Sequence, residues 1–195
     1  MPKEWSTDEV KKQLRREARK VLAILSEREK AAWSQSIVDF ILQDDGYRRS
    51  TQIGLYCAVE WEIDLMSLLE RRGKESERSF AFPRWNPDTG SYEFARVRGR
   101  NQLHRGRFGV EEPAEECEFV PGHSLDMTFV PGVAFSRAGV RLGRGKGFYD
   151  RLLEGNTGQI VGVCSNSQLL DEIPAEEWDV PMARVITETG QIAFE

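Results

Sequence analysis

The stretch that most constrains this chain lies at residues 126–153. Met127-Thr128-Phe129-Val130 is a short apolar run, closed by Pro131-Gly132, and it suits a buried parallel strand. Glycines then recur at 139, 143, 145 and 147, interleaved with Arg137, Arg141, Arg144 and Lys146. The string Phe148-Tyr149-Asp150-Arg151-Leu152-Leu153 after them reads as a helix start. A strand, a glycine-rich cationic loop and a helix N-terminus offer an anion free backbone N–H groups, and glycine lets it approach closely. The arrangement predicts a nucleotide-phosphate site. A mobile basic loop would have the same composition.

Two common phosphate motifs do not match. A P-loop needs G-x-x-x-x-G-K-[ST], but Val140 stands at the first glycine and Gly147 at the hydroxyl position after Gly145-Lys146. A dinucleotide fingerprint follows its strand directly, whereas Gly143-Arg144-Gly145-Lys146-Gly147 lies about a dozen residues beyond and carries two cations. What the segment Pro131-Gly132-Val133-Ala134-Phe135 with Arg141-Leu142-Gly143-Arg144-Gly145-Lys146-Gly147-Phe148-Tyr149-Asp150 does resemble is the signature of the 5-formyltetrahydrofolate cyclo-ligase family.

The rest of the chain follows that family's pattern in order. Lys11-Lys12-Gln13-Leu14-Arg15 is similar to its opening K-x-x-L-R, and Glu62-Ile63-Asp64 to the core of its acidic motif. Phe82-Pro83-Arg84-Trp85, Gly109 to Pro113, Gln168 and Ile173-Pro174 with Asp179 resemble later elements. Trp61 and Leu65 stand where Asn and Thr are usual, Ser136 where Asp is usual, and Trp178 where His is common.

The resemblance implies ATP-dependent closure of 5-formyltetrahydrofolate to 5,10-methenyltetrahydrofolate, with ADP and phosphate released. It implies that Lys11, Arg15 and residues Arg141, Leu142, Gly143, Arg144, Gly145, Lys146, Gly147, Phe148 and Tyr149 contact the nucleotide. Arg144 and Lys146 would be the catalytic cations. Glu62, Trp85 and Tyr56, with the loop from Arg144 to Phe148, would meet the reduced folate. Asp150, and less directly Asp179, would hold Mg²⁺, since hard oxygens suit that ion. Other readings remain open at several positions. The cations beside Lys11 also suit a solvated helix face, Trp85 could pack on the hairpin beyond it, and Asp150 could stabilise a first helical turn. Two rival functions are a phosphotransferase with another acceptor and a non-catalytic binder of nucleotide or folate.

Composition sets the outer bounds. A chain of 195 residues, 39% hydrophobic and 30% charged, is one domain by size with room for a substantial core. A net charge of −5 argues against a general nucleic-acid partner, and no run of 18 apolar residues suggests a membrane span. Cys57, Cys117 and Cys164 form no C-x-x-C, so reduced thiols in a cytoplasm are expected, and two histidines leave little scope for a histidine metal site. The chain is expected to work as a monomer.

Local signals complete the expectation. Ser6 with Glu9 and Ser26 with Glu29 have capping-box spacing, predicting two helices. The second should turn Trp33, Ile37, Phe40 and Ile41 inward and end at Asp45-Gly46. Strands are expected at 52–57, 79–83 and 159–164, and a helix at 65–71 capped by Asp64 and closed by Arg72, Gly73 and Lys74. Hairpins at 80–97 and 185–194 should add antiparallel edges. The predicted fold is three-layer α/β/α with a mainly parallel sheet.

Overall fold

The computed structural model describes residues 6–59, 61–71 and 77–194; Glu60 and the expected helix closure at Arg72, Gly73 and Lys74 lie outside them. Both capping boxes form. Ser6 accepts the Glu9 N–H at the head of α1 (Thr7–Leu22), and Ser26 accepts the Glu29 N–H at the head of α2 (Glu27–Gln43). Each glutamate side chain returns to the serine N–H, so two otherwise orphaned donors are satisfied at each helix start. α2 buries Ile37, Val38 and Ile41, but Phe40 points outward and is 43% exposed. Asp45-Gly46 does not end the helical path. Asp44 turns the chain and caps α3 (Asp45–Arg49) through the Tyr47 N–H at 2.7 Å.

The chain then enters β1 (Gln52–Gly54), shorter than expected, and α4 (Met66–Glu70). Asp64 does serve α4, accepting the Met66 N–H at 2.8 Å, although Leu65 occupies the residue position before the helix. β2 (Ser79–Asn86) runs past the expected Pro83 and folds back into β3 (Ser91–Val97). β4 (Leu103–Arg105) and β5 (Glu111–Pro113) form a separate two-stranded ribbon, followed by β6 (Phe119–Val120). β7 (Met127–Pro131) is the expected central strand, buried along its whole length.

The loop expected between Pro131 and Phe148 is partly ordered as strand. β8 (Ala134–Ser136) and β9 (Arg141–Leu142) pair antiparallel through a turn at 137–140, and the longest stretch left free of regular structure is Gly143 to Gly147. α5 (Phe148–Leu152) is a single turn, so an anion at its head gains little from a helix dipole. The cations and loop amides must carry that role. β10 (Gln159–Val163), β11 (Leu169–Leu170), β12 (Arg184–Thr187) and β13 (Gly190–Ala193) complete the chain.

The main sheet has eight strands in the order β13-β12-β10-β7-β1-β2-β3-β6. Pairing is parallel from β12 through β2, and β13, β3 and β6 are the antiparallel additions. Residues alternate between two cores, as a two-sided sheet requires. Met127 and Phe129 face α2, α3 and α4 together with Ile53, Phe80 and Phe82. Val130 faces the other way, with Phe135, Leu153 and Ile160. The second covering layer therefore mixes α5 with the three-stranded sheet β11-β8-β9, and α1 lies over that sheet through Leu14 and Ala18.

Candidate active site

A cleft of about 650 Å³ opens where β1, β2 and β7 end, lined by Tyr56, Cys57, Pro83, Pro131 and Gly132. Ligands bind in this position in open α/β sheets because the carboxyl ends leave a crevice between crossovers. One wall is the glycine loop with the flank of α1, and the opposite wall is aromatic.

On the first wall four of the five cations that the sequence singles out, all but Lys146, already have a hydrogen-bonded partner. Arg15 donates from Nε to the Gly143 carbonyl at 2.8 Å, bracing the loop against α1. Lys11 is buried, and its Nζ lies 2.7 Å from both Glu176 and Asp179. Burial works against its charge, but the two carboxylates outweigh that and hold its pKa above the ordinary lysine value. Arg141 donates to Asp150 Oδ1 at 2.7 Å and lies over the Tyr149 ring. A Cβ on Gly143 would sit 2.8 Å from the Arg141 guanidinium, so a side chain there would have to displace the group that Asp150 holds. Gly145 has φ +91, a conformation that strains any residue with a side chain, and a Cβ there would press on the Arg15 guanidinium at 3.2 Å. Lys146 and Arg144 are the exposed cations of the loop.

The two walls meet at one ion pair. Arg144 donates to Glu62 Oε1 at 3.2 Å and stacks over Trp61 at 5.0 Å. The Glu62 side chain is only 7% exposed, and its other oxygen accepts the Val59 N–H at 3.1 Å. Burial raises its pKa, opposed by Arg144 and the Val59 bond. Tyr56 also lines the cleft, but its hydroxyl is committed to the Ile63 carbonyl at 2.6 Å, so its ring alone faces a ligand.

A family model for the 5-formyltetrahydrofolate cyclo-ligase family matches residues 7–188, a span that includes both walls. The chain belongs to this family. The 5-formyltetrahydrofolate cyclo-ligase of Haemophilus influenzae is 32% identical over 181 residues, covering 90% of this chain and 96% of the relative. The structure of Aquifex aeolicus 5,10-methenyltetrahydrofolate synthetase superposes with a TM-score of 0.85 at 32% identity, covering 95% of this chain and 93% of that one. A 5,10-methenyltetrahydrofolate synthetase from Mycoplasma pneumoniae shares the fold at TM-score 0.73 and 23% identity, over 91% of this chain and 98% of that one.

Against the residues expected of a cyclo-ligase, one placement differs. Trp85 does not line the cleft; it stands behind the aromatic wall, edge-on to Tyr92 at 5.4 Å and Phe148 at 5.9 Å, with the Arg107 guanidinium over its ring. Tyr92, Phe108 and Glu112 occupy the surface that Trp85 was expected to supply. Phe108 holds a left-handed backbone conformation (φ 60), rare for an aromatic residue, and carries the Lys146 ammonium 4.7 Å above its ring. The segment at 108–113 drew notice in the sequence, but no local spacing says that it folds back beside β2. Gln168 is a buttress: buried, it donates to the Gly132 and Val133 carbonyls and props the chain where β7 ends. Trp178, at the position where histidine is common, is exposed at the α1 side of the cleft.

The carboxylates can be tested as magnesium ligands. Among the described residues no cluster of three or more acidic, histidine or cysteine side chains is preformed for a metal. Magnesium that arrives with phosphates needs only one or two protein carboxylates. Asp150 suits that part, because Arg141 holds Oδ1 while Oδ2 accepts no hydrogen bond from the described residues and lies toward Gly147. Asp179 suits it less, since its Oδ2 already receives both the Lys11 ammonium and the Glu176 N–H.

Proposed function

We propose that the chain uses ATP to close 5-formyltetrahydrofolate to 5,10-methenyltetrahydrofolate, releasing ADP and phosphate. The observation that carries this reading is the Arg144–Glu62 pair at 3.2 Å, which puts a phosphate-type cation and a buried acceptor carboxylate in one cleft. A molecule bearing N–H donors and a nucleotide bearing phosphates can therefore meet there.

The chemistry fits a site without a side-chain nucleophile. A formyl oxygen leaves poorly as oxide and well as phosphate. The oxygen attacks the γ-phosphorus as the N5 lone pair moves in to form an iminium, and ADP departs. The N10 nitrogen then adds to the iminium carbon, phosphate leaves with the C–O electron pair, and N10 gives up its proton. Such transfers depend on in-line positioning and on neutralising phosphate charge. Arg144, Lys146 and the amides from Gly143 to Gly147 would supply that neutralisation, with Lys11, Arg15 and Arg141 shaping the loop behind them. Asp150 would hold Mg²⁺, which would screen the phosphate oxygens when bound. Glu62 would accept two adjacent N–H groups of the pterin edge, and Phe108 and Phe148 would stack on its rings.

The same reading has the enzyme acting as a monomer on a small molecule, with neither nucleic acid nor membrane involved. The net charge of −5 supports the first point. Among the described residues no helix is long and apolar enough to cross a membrane. A cytoplasmic setting is supported by three buried, unpaired cysteines, Cys57, Cys117 and Cys164. Mixing the protein with 5-formyltetrahydrofolate and Mg-ATP tests the activity through growth of the methenyl chromophore. ADP release without that absorbance would favour a different acceptor. Binding without ADP release would favour a non-catalytic role.

A further inference from the structure

The aromatic wall contains a carboxylate that the proposed reaction has not used. Glu112 lines the cleft and is 7% exposed. No cation pairs with it among the described residues; one oxygen accepts the Trp85 backbone N–H at 3.0 Å and the other accepts the Tyr92 hydroxyl at 3.1 Å. A buried carboxylate served by two neutral donors is expensive to hold in place, and an apolar residue would pack there at lower cost. Its effect on Tyr92 gives it a use.

An ionised carboxylate can only accept, so the Tyr92 hydrogen is committed to Glu112. Burial, with the Glu112 charge beside it, pushes the Tyr92 phenol well above its ordinary pKa, so the hydroxyl stays protonated. The ring is held in a three-ring cluster, edge-on to Trp85 at 5.4 Å and Phe148 at 5.2 Å, which themselves meet at 5.9 Å. Tyr92 lines the cleft as well. What its oxygen can offer a ligand is lone pairs alone.

We propose that Glu112 is a positioning residue that sets Tyr92 as a hydrogen-bond acceptor for an N–H group of the reduced folate, a second acceptor beside Glu62. The inference rests on the cyclo-ligase reading. A reduced pterin is rich in N–H donors, and Glu62 is already shared with Arg144 and the Val59 N–H. A second acceptor in the same cleft would select the donor-bearing edge of the ligand and leave the nucleotide untouched.

Titration calorimetry of 5-formyltetrahydrofolate, and separately of ATP, into the wild type, Tyr92→Phe, Glu112→Gln and the double variant tests this. Tyr92→Phe removes the lone pairs and leaves Glu112 on the Trp85 N–H. In Glu112→Gln the carbonyl must stay with the Trp85 N–H, so the amide NH₂ donates to Tyr92 and turns the hydroxyl hydrogen toward the cleft. Each single variant should bind the folate about tenfold more weakly with ATP affinity unchanged. The double variant should bind no worse than Tyr92→Phe, because both changes remove one interaction. Wild-type folate affinity in Tyr92→Phe overturns the proposal, as does a parallel loss of ATP affinity, which would mark a merely structural role. If Glu112→Gln fails to fold, Tyr92→Phe decides alone. A wild-type protein that does not bind 5-formyltetrahydrofolate overturns the cyclo-ligase reading itself, and this inference with it.

Discussion

Glu62→Gln separates the anchoring of folate from the integrity of the fold. The side chain is 7% exposed, and its partner Arg144 is 44% exposed, so the arginine can turn to water when the charge is lost. A half-exposed pair of this kind is worth about 1 kcal/mol at most. The variant also no longer buries a charge that the site disfavours. Because burial raises the Glu62 pKa, the stability this group contributes is present below the ordinary carboxylate range and is lost as pH rises through its folded value. The two effects oppose each other at neutral pH, and the net change should stay within about 1 kcal/mol, or roughly 2–4 °C in Tm. Against the pterin edge the same variant places an amide donor where a ligand donor arrives. That mismatch should cost about 2 kcal/mol, roughly thirtyfold in 5-formyltetrahydrofolate affinity, with ATP affinity little altered. Titration calorimetry of each ligand, beside a thermal melt, reads all three quantities. Unchanged folate affinity in a folded variant refutes the assignment of Glu62 and favours an acceptor other than a pterin.

Three further perturbations follow from the same geometry. Lys146→Ala should lower kcat/KM by about 2–4 kcal/mol of transition-state stabilisation with folate affinity preserved, and a melt should show almost no change because Lys146 is exposed. Asp150→Asn should raise the magnesium concentration needed for half-maximal rate, and it should also lower stability by about 1–3 kcal/mol in urea denaturation. The Arg141 side chain it leaves is 6% exposed, and the Nε of that residue already lacks a partner. Asp44→Ala should cost about 3 kcal/mol by stranding Arg184, which it grips at 2.7 and 2.8 Å, and by uncapping α3. Arg184 holds the Asp44 pKa below the ordinary value, so this stability is present above the usual carboxylate range and is lost as pH falls through the folded value. Acid unfolding of wild type and variant should therefore converge at low pH.

The features legible in the sequence were those whose cause is local. Ser6 with Glu9 and Ser26 with Glu29 announce their helices because three residues suffice to close a capping box. The buried run at 127–130 became β7, since a strand covered on both faces needs apolar residues throughout. The single turn of α5, the β8–β9 hairpin inside the expected loop and the outward Phe40 depend on what packs nearby, and periodicity carries no such information. The cleft divides in the same way. The glycines and cations of 141–150 are contiguous, so their chemistry is visible in the string. The aromatic wall is assembled from Tyr92 on β3, Phe108 and Glu112 near β5, and Phe148 on α5. Only the eight-stranded sheet and the fold-back of the 103–113 ribbon bring those residues together.

The paired state of the cations bears on how the site handles charge. Lys11 rests on Glu176 and Asp179, Arg15 on the Gly143 carbonyl, Arg141 on Asp150 and Arg144 on Glu62. A nucleotide entering this cleft would have to exchange partners with those groups. The net affinity gained is the difference between phosphate and resident contacts, so the number of cations overstates it. The exchange is least costly at Arg144, the one side chain among these four that is both exposed and held by a single carboxylate at 3.2 Å. Lys11, buried with two carboxylates at 2.7 Å, is the most costly to detach. If this wall takes phosphates, that ordering would make Lys11 and Arg141 its frame, and Arg144 with Lys146 its moving parts. On the cyclo-ligase reading it would also link the two substrates: a folate taking over Glu62 would free Arg144 for the phosphates of ATP.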